Sequence, residues 1–461
     1  MKARLASQRA AFGRNPYPPL AERRGKLAAL RSALRRRQEA LCDAMSGDFG
    51  GRSRTESKLS DLLGPVLAID HALRHLRRWM RPQRRRTELL FLGNRAWVEY
   101  QPKGVIGIIA PWNFPLYLSL GPLVAALAAG NRAMIKMSEL APRSTDALRS
   151  VLAECFEQDE VAVFGGDVEA GKAFAALPFD HLVFTGSTEV GRSVMRAAAE
   201  NLVPVTLELG GKSPAIVSRS ADLAQAARKI AHGKVFNCGQ VCVSPDYALV
   251  PRGSEAAFAA AAREAFGRLV PPGSPDYTSV ISPRHAARLN ELLEDARGLG
   301  ATVVACAEPG HASGARRMPL HLVTGVTDAM RLAREEIFGP ILPIRAYERF
   351  EDAIAHLAGR PRPLALYYFG RDAGEAQALA RRTHSGGMTI NDWGWHVFQH
   401  DLPFGGIGAS GMGGYHGREG FAALSHAKAV FRERRGFPIH LFYPPYGRLL
   451  QRVALRWFLR E

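Results

Sequence analysis

Between positions 104 and 209 the chain alternates short apolar runs with helical text, and this alternation most narrows the folds open to it. GVIGIIAP is a short, uniformly apolar run, as a strand buried on both faces requires, and PLYLSLGPLVAALAAG after it reads as a packed helix. NRAMIKMSEL carries the second strand, and VAVFGGD and HLVFTGSTEVGRSVMRAAA repeat the strand-to-helix transition. Strand and helix in turn predict an α/β fold around a parallel sheet, with ligands gathered beyond the carboxyl ends of the strands.

The remaining text fits one such protein with added parts. A length of 461 residues with 47% hydrophobic content suffices for two or three cored domains and carries no disorder signature. Residues 1 to 80 read as helices, with Leu20, Leu27, Leu30 and Leu34 at helical spacing and MSGDFGGRS as a break. Thr87 to Gln101, TELLFLGNRAWVEYQ, is rich in strand formers around a Gly-Asn turn and predicts a hairpin. Residues 255 to 300 predict two amphipathic helices, and 300 to 325 a strand and a polar loop.

The net charge of +18 and pI near 10.1 ask for an explanation. Nucleic-acid binding predicts a basic stripe interleaved with aromatics and a recognisable module, and neither is present. The arginines instead cluster in helical text, at Arg23, Arg24 and Lys26, at Arg35 to Arg37, at Arg74, Arg77 and Arg78, and at Arg84 to Arg86, as solvated helix faces do. The ending FPIHLFYPPYGRLLQRVALRWFLRE sets apolar residues at helical spacing beside Arg448, Arg452, Arg456 and Arg460, an amphipathic tail that packs on a partner subunit or, alternatively, lies on a membrane surface. Cysteines at 42, 155, 238, 242 and 306 show neither metal-ligand nor disulfide spacing, which favours a reducing compartment. With no apolar core behind the N-terminal charges and no run of membrane-spanning length, a cytoplasmic protein is expected.

The chemistry concentrates in TLELGGKSP and KVFNCGQVCVSPDY. Glu208 in an apolar strand and Cys242 in a Gly-Gln loop supply a base and a nucleophile for two-step acyl chemistry, although either residue alone is commonly structural. Their surroundings decide between these readings. LELGGK and FNxGQxC, with PWNFP and FTGSTEVG upstream and EEIFGP and PFGG downstream in the same order, resemble the aldehyde dehydrogenase superfamily over nearly the whole chain. The ending QHDLPFGGIGASGMGGYHGREGF is similar to the short class 3 type, and within it to the coniferyl aldehyde dehydrogenases.

The resemblance implies a Rossmann-like cofactor domain (1–85 and 104–207), an α/β catalytic domain (208–410), a small β oligomerisation element (86–103 and 425–437) and the basic tail (438–461). It makes Cys242 the nucleophile and Glu208 the base that activates water. Asn113, whose position before Phe-Pro equally suits a helix cap, would donate to the oxyanion together with the Cys242 backbone N–H. Trp112, Lys136, Glu139, Gly186, Ser187, Gly191, Glu336 and Phe338 would contact a dinucleotide. Lys136 and Glu139 would hold the adenosine ribose, Ser187 would lie near the pyrophosphate, and Glu336 would hold the nicotinamide ribose unless it is only a helix-end carboxylate. Glu139 would repel a 2′-phosphate, which favours NAD over NADP, while Met137 replaces a proline common in the family. Trp393, Trp395, His396 and Phe398 would line the substrate tunnel, as aromatic walls suit a planar aldehyde, or else pack in the core. Cys238, where the family usually has Ala or Ser, is a core residue or a redox partner of Cys242.

The expected activity is NAD(P)-dependent oxidation of an aldehyde, aromatic or phenylpropenyl, in a homodimer that needs no metal and binds no nucleic acid. Three alternatives stay open: a medium-chain aliphatic substrate, transfer of the acyl group to coenzyme A or phosphate, and a non-catalytic or membrane-associated protein on the same fold. Intact Asn113, Glu208 and Cys242 speak against the last, and Glu208 against acyl transfer.

Overall fold

The computed structural model describes residues 1–307 and 316–459, so Arg460 and the middle of the polar loop expected at 300–325 lie outside it. The chain forms two compact units, Met1–Trp79 with Pro102–Ser425, and Met80–Gln101 with the chain from His426 onward.

In the larger unit the alternating text becomes a six-stranded sheet in the order Gly411–Met412, Val205–Leu209, His181–Gly186, Val105–Ile109, Arg132–Lys136, Val161–Phe164. All neighbours are parallel except the short Gly411–Met412 edge, which runs antiparallel to Val205–Leu209. The first strand in sequence, Val105–Ile109, lies inside the sheet. The chain builds outward on one side through Arg132–Lys136 and Val161–Phe164, then returns to its other side with His181–Gly186. This reversal opens a crevice beyond the carboxyl ends of the strands, where Ala110–Asn113 and Gly186–Ser187 leave the sheet. A seven-stranded sheet follows in the order Thr302–Ala305, His321–Thr324, Ile341–Tyr347, Tyr247–Pro251, Pro214–Val217, Ala365–Phe369, Gly387–Ile390. Only its Thr302–Ala305 edge is antiparallel. Helices Leu223–Val235 and Glu255–Leu269 share its main core cluster with the site residues Phe114 and Tyr117.

Helix Tyr117–Ala129 is buried at every position, so its carboxyl-end carbonyls have no water to turn to. Arg23 supplies the donors: Nη1 donates to the Ala128 and Ala129 carbonyls at 3.1 and 2.7 Å, and Nε to Pro18 at 2.8 Å. Arg23 is therefore not part of a solvated face, as its cluster predicted, but 1% exposed. Gly130 ends the helix with φ +89°, and a Cβ there would lie 2.6 Å from the Arg23 guanidinium carbon. Position and chemistry both require glycine. Arg24, Arg35 to Arg37, Arg74, Arg77, Arg78 and Arg84 to Arg86 are exposed as expected.

The smaller unit carries a three-stranded sheet, Gln83–Arg85, Arg95–Pro102 and Ser425–Arg432. The predicted hairpin exists with different arms. TELLFL does not form a strand; Leu89–Phe91 is a 3₁₀ turn, and the strand paired with Arg95–Pro102 is Gln83–Arg85. Aromatic packing overrides local propensity here, since Phe91 sits within 6.1 Å of Phe431, Phe437 and Phe442. The tail forms helix Leu449–Leu459, with Leu449, Leu450, Val453, Leu455, Trp457, Phe458 and Leu459 all exposed in the single chain. Among the described residues no helix is long and apolar enough to cross a membrane.

Arg23→Ala should cost about 3 kcal/mol in urea-induced unfolding, because it strands buried carbonyls. Gly130→Ala should destabilise comparably, through a strained φ and the lost room for the guanidinium.

Candidate active site

The Cys242 loop begins where helix Leu223–Val235 stops. Asn237, Cys238 and Gly239 follow in the left-handed region at φ +47°, +54° and +70°, a run that non-glycine residues rarely adopt. Side-chain amides hold it in place. Asn237 Nδ2 donates to the carbonyls of Asn113 and Gln240, each at 3.1 Å. Gln240 Nε2 donates to the carbonyls of Asn237 and Ser279 at 3.0 and 3.1 Å, and its Oε1 accepts from the Ile281 N–H at 2.9 Å. At Gly239 a Cβ would meet the Gly339 carbonyl oxygen at 2.5 Å, so the backbones of FNCGQVC and EEIFGP touch.

Asn113 is 2% exposed, and its Nδ2 donates to the Gln240 carbonyl at 3.1 Å. One of its two amide hydrogens remains for another acceptor. The Cys242 thiol is pushed up to about 12, by burial first and then by the Glu336 and Glu208 carboxylates, while the N–H groups of Cys242 and Val243 pull the other way. Glu208 is 3% exposed, both its oxygens lack partners, and burial raises its pKa well above the carboxylate range. Backbone pairing sets it opposite Thr185 on one side and Gly411 on the other, beneath the glycine-rich turn PFGGIGASGMGG.

Residues that the motifs did not reveal hold these parts together. Arg52 and Asp61, both fully buried, form an ion pair at 2.9 Å. Arg52 also donates to the Asn113 carbonyl at 3.3 Å, and Asp61 Oδ1 accepts from the Leu116 and Tyr117 N–H groups at 3.0 and 3.1 Å. Glu56 accepts from the Asn237 N–H and the Thr278 hydroxyl, its pKa raised by burial against the opposing pull of Arg52. Ser60 and Asp61 lie on a π-helical turn, Lys58–Leu62, between two α-helical segments. A widened turn of this kind is a common device at functional sites. On the far side Lys212 pairs with Asp246 and donates to the Leu332 and Glu335 carbonyls at 2.7 and 3.0 Å. Asp246 Oδ1 then accepts from Ile337 N–H at 2.8 Å, which pins the EEIFGP turn.

Beyond the strand ends lies a cavity of about 450 Å³ lined by Trp112, Lys136, Glu139, Gly186 and Ser187 among others. Ser187 caps helix Thr188–Ala199, its hydroxyl accepting from Val190 N–H at 3.4 Å, so the helix N-terminus faces this space. Lys136 is buried and donates to the Met137 and Gly166 carbonyls at 2.7 and 2.9 Å, and burial lowers its pKa. Met137 N–H bonds the Phe164 carbonyl at 2.9 Å, a bond that proline could not make. Gly191 is not at the cavity wall: a Cβ there would sit 2.6 Å from Leu209, so it serves close packing of helix on sheet. Glu336 and Phe338 also lie outside this cavity. The Glu336 carboxyl crowds Gly210, where a Cβ would lie 2.1 Å from Oε2, and is pushed up to about 8 by burial and by Asp246. Phe338, at φ +52°, packs edge-on against Trp112 with centroids 5.5 Å apart.

The aromatic cluster divides. Trp393 is 9% exposed and donates from Nε1 to His232 at 3.0 Å, and His396 is 7% exposed and bonds Thr389 at 2.7 Å; both belong to the core. Trp395 is 55% exposed and lies 6.0 Å from Phe398, which in turn stacks on Tyr117 at 6.3 Å and 7°. Cys238 is fully buried against the Tyr277 hydroxyl at 3.5 Å and the Met318 carbonyl at 4.0 Å, and burial pushes its thiol up to about 12. This is the environment of a core residue.

Asp61→Ala should cost about 3–5 kcal/mol, because it leaves the Arg52 charge buried and unpaired, and Arg52→Met with Asp61→Leu should recover most of that loss in chemical denaturation. The raised thiol pKa predicts that alkylation of Cys242 by iodoacetamide, in the protein without cofactor, is slow at neutral pH and climbs about tenfold per pH unit through the alkaline range. A rate already flat at neutrality would show a preformed thiolate.

Residues 2–430 match the aldehyde dehydrogenase family. A probable coniferyl aldehyde dehydrogenase of Pseudomonas aeruginosa is 49% identical over 462 residues, covering 100% of this chain and 96% of its own length. A coniferyl aldehyde dehydrogenase of a Pseudomonas species is 48% identical, over 85% of this chain and 82% of its own. The substrate-bound AldH structure of Staphylococcus aureus superposes with a TM-score of 0.93 at 34% identity, over 99% of each chain. An indole-3-acetaldehyde dehydrogenase of P. syringae in complex with NAD+ gives 0.85 at 27% identity, over 94% and 88%. On a family match over residues 2–430 and 49% identity along its full length to such a relative, the chain belongs to the aldehyde dehydrogenase family.

Proposed function

We propose that this protein oxidises conjugated aromatic aldehydes of the coniferyl type to their acids, with NAD as the oxidant. One observation carries the mechanism: a buried carboxylate with two unpartnered oxygens, Glu208, lies close enough to Cys242 that its charge disfavours the thiolate. The Cys242 S–H bond breaks, its proton passing to water, as the sulfur bonds the aldehyde carbon, and the oxyanion is held by the free Asn113 amide hydrogen and the Cys242 N–H. The bound dinucleotide supplies the hydride acceptor. Glu208, once ionised, takes a proton from water as the water oxygen attacks the thioester carbon, and the Cys242 sulfur leaves. A dedicated carboxylate for water favours hydrolysis over transfer to coenzyme A or phosphate.

The cavity at the strand ends fits a dinucleotide. Thr185 Oγ1 is buried without a partner, the N-terminus of helix Thr188–Ala199 faces in, and Glu139 is an exposed acceptor on the wall. In this reading Lys136 and Glu139 hold the adenosine ribose, Gly186 and Ser187 meet the pyrophosphate, and Glu336, Phe338 and Trp112 flank the nicotinamide end. Glu139, Asp167 and Glu189 in the wall oppose a 2′-phosphate, against the buried Lys136 and the exposed Lys172. The sheet of 104–207 is thus the cofactor domain and that of 208–410 the catalytic one.

The substrate class rests on Trp395, Phe398 and Tyr117 and on the names carried by the relatives at 46–49% identity. We assign the exposed apolar face of the tail helix and the strand Ser425–Arg432 to a homodimer contact, and the five free cysteines fit a cytoplasmic setting. Glu208→Gln should keep a burst of NADH but lose steady turnover by about a hundredfold or more, while Cys242→Ala loses both and still binds NAD. Aromatic stacking predicts a roughly two- to tenfold higher kcat/KM for cinnamyl-type aldehydes than for aliphatic ones of similar length, narrowed by Trp395→Ala. Decanal as the better substrate by about tenfold would sink the aromatic reading.

A further inference from the structure

Behind Glu208 the structure holds a file of buried titratable groups that the reaction described above does not use. His71, His400 and His416 are 7%, 9% and 5% exposed and, with Tyr117 and Tyr415, line a cavity of about 20 Å³, room for about one water. The rings follow one another: Tyr415 to His416 at 5.2 Å between centroids, His416 to His400 at 5.7 Å, and His400 to His71 at 6.5 Å. Tyr117 Oη lies 3.5 Å from His416 Nε2. At the outer end His71 Nε2 is 3.7 Å from a carboxylate oxygen of Asp401, a side chain 92% exposed.

The inner end approaches Glu208, which is outside the cavity wall. A Cβ on Gly414, the residue before Tyr415, would lie 4.0 Å from Glu208 Oε1, and the Tyr415 and Tyr117 phenols both feel the Glu208 charge. Along this file Tyr415 Oη, His416 Nδ1, His400 Nε2, His71 Nε2 and both Glu208 oxygens are buried without partners. Orphaned atoms cost about 1–3 kcal/mol each, so such a row in one cavity calls for a use. Among the described residues no group of three or more His, Cys, Asp or Glu is placed to hold a metal.

We propose that this file is the route by which the proton collected by Glu208 leaves for solvent, a role that rests on Glu208 being the hydrolytic base. The water O–H breaks as its oxygen bonds the thioester carbon, and the proton rests on Glu208. Because Glu208 has no direct partner, a bridging water must carry the proton from it to the Tyr117 hydroxyl, which hands a proton to His416 Nε2 while His416 releases the proton of Nδ1 into the cavity. The cavity water, held by the acceptor His400 Nε2, passes it to His71 and on to solvent beside Asp401; no electrons move. Burial holds His416 to about 3 and His400 to about 4; each ring feels its neighbours, His400 and His396 at His416, and His71 at His400. His71 faces His75, Arg74, Asp401 and Glu419, with burial the largest influence. A neutral imidazole can take a proton on one nitrogen as it gives one from the other, so no buried imidazolium has to persist.

The test separates the first turnover from later ones, with the Cys242 acyl adduct followed by acid quench and intact-mass spectrometry. Enzyme held at alkaline pH, so that Glu208 starts ionised, is mixed with NAD and cinnamaldehyde at neutral pH. In His416→Phe the first adduct should decay at the native rate, while later turnovers slow roughly tenfold. His416→Ala should slow likewise and be restored by imidazole, which fits the vacated space. If His416→Phe fails to fold, as judged by the loss of its NADH burst, His71→Phe carries the same comparison. Native steady turnover in these variants overturns the relay. So does slowing that affects the first and later turnovers equally and is not restored by imidazole, which is the mark of a packing role. Glu208→Gln is run in parallel: native first-turnover decay there removes the base assignment itself, whereas slow decay with unaffected histidine variants removes only the relay.

Discussion

The buried Arg52–Asp61 pair is the interaction on which the site depends. Asp61 takes the N–H groups that begin the helix after PWNFP, Arg52 takes the Asn113 carbonyl, and Asn237 reaches the same carbonyl from the Cys242 loop. Two loops far apart in sequence are thereby held to one oxygen atom. Charge suits this task better than a neutral contact. A fully desolvated pair bonds strongly only in a narrow geometry, so it fixes position even where its net contribution to stability is small. Positioning of this kind is what an oxyanion donor needs, since its benefit depends on being in place before charge develops.

The second constraint is the burial of acidic groups around the sulfur. Cys242, Glu208 and Glu336 all have raised pKa values, each chiefly from burial, and the two carboxylates add to the cost of ionising the thiol. Charging one of them disfavours charging the next, so the three ionise as a coupled set. A neutral thiol protects the nucleophile from adventitious oxidation. It also makes proton removal part of the chemistry, which is where the buried histidines and tyrosines behind Glu208 gain their interest.

Much of this was legible beforehand. The strand-and-helix alternation from 104 to 209 became the parallel sheet because each run was apolar on both faces, a pattern that only a covered sheet satisfies. Helices at 1–80 and 255–300 followed their periodicity. The motifs led to Asn113, Glu208 and Cys242 because each type of chemistry needs particular side chains. Arg52, Glu56 and Asp61 left no such trace. In text they belong to a glycine-rich break and a polar helix start, and only long-range contacts show that their charges face inward. Arg23 misled for the same reason, since a basic cluster does not reveal which member turns to the core. The hairpin arms failed because Phe91 found ring partners far along the chain, which local propensity cannot weigh. Of the two readings open for Trp393 and His396, core packing fits their burial and their bonds to His232 and Thr389.

By itself, then, the sequence determined the order and type of most elements and named the candidate reactive groups. Both are written in local patterns, apolar period in the one case and side-chain chemistry in the other. Tertiary structure alone decided which carboxylates and rings are cut off from water, which left-handed residues are supported, and which buried atoms are left without partners. Those properties arise from the meeting of segments tens to hundreds of residues apart, as Glu56 meets Asn237 and His71 meets His400, and desolvation acts only once they have met.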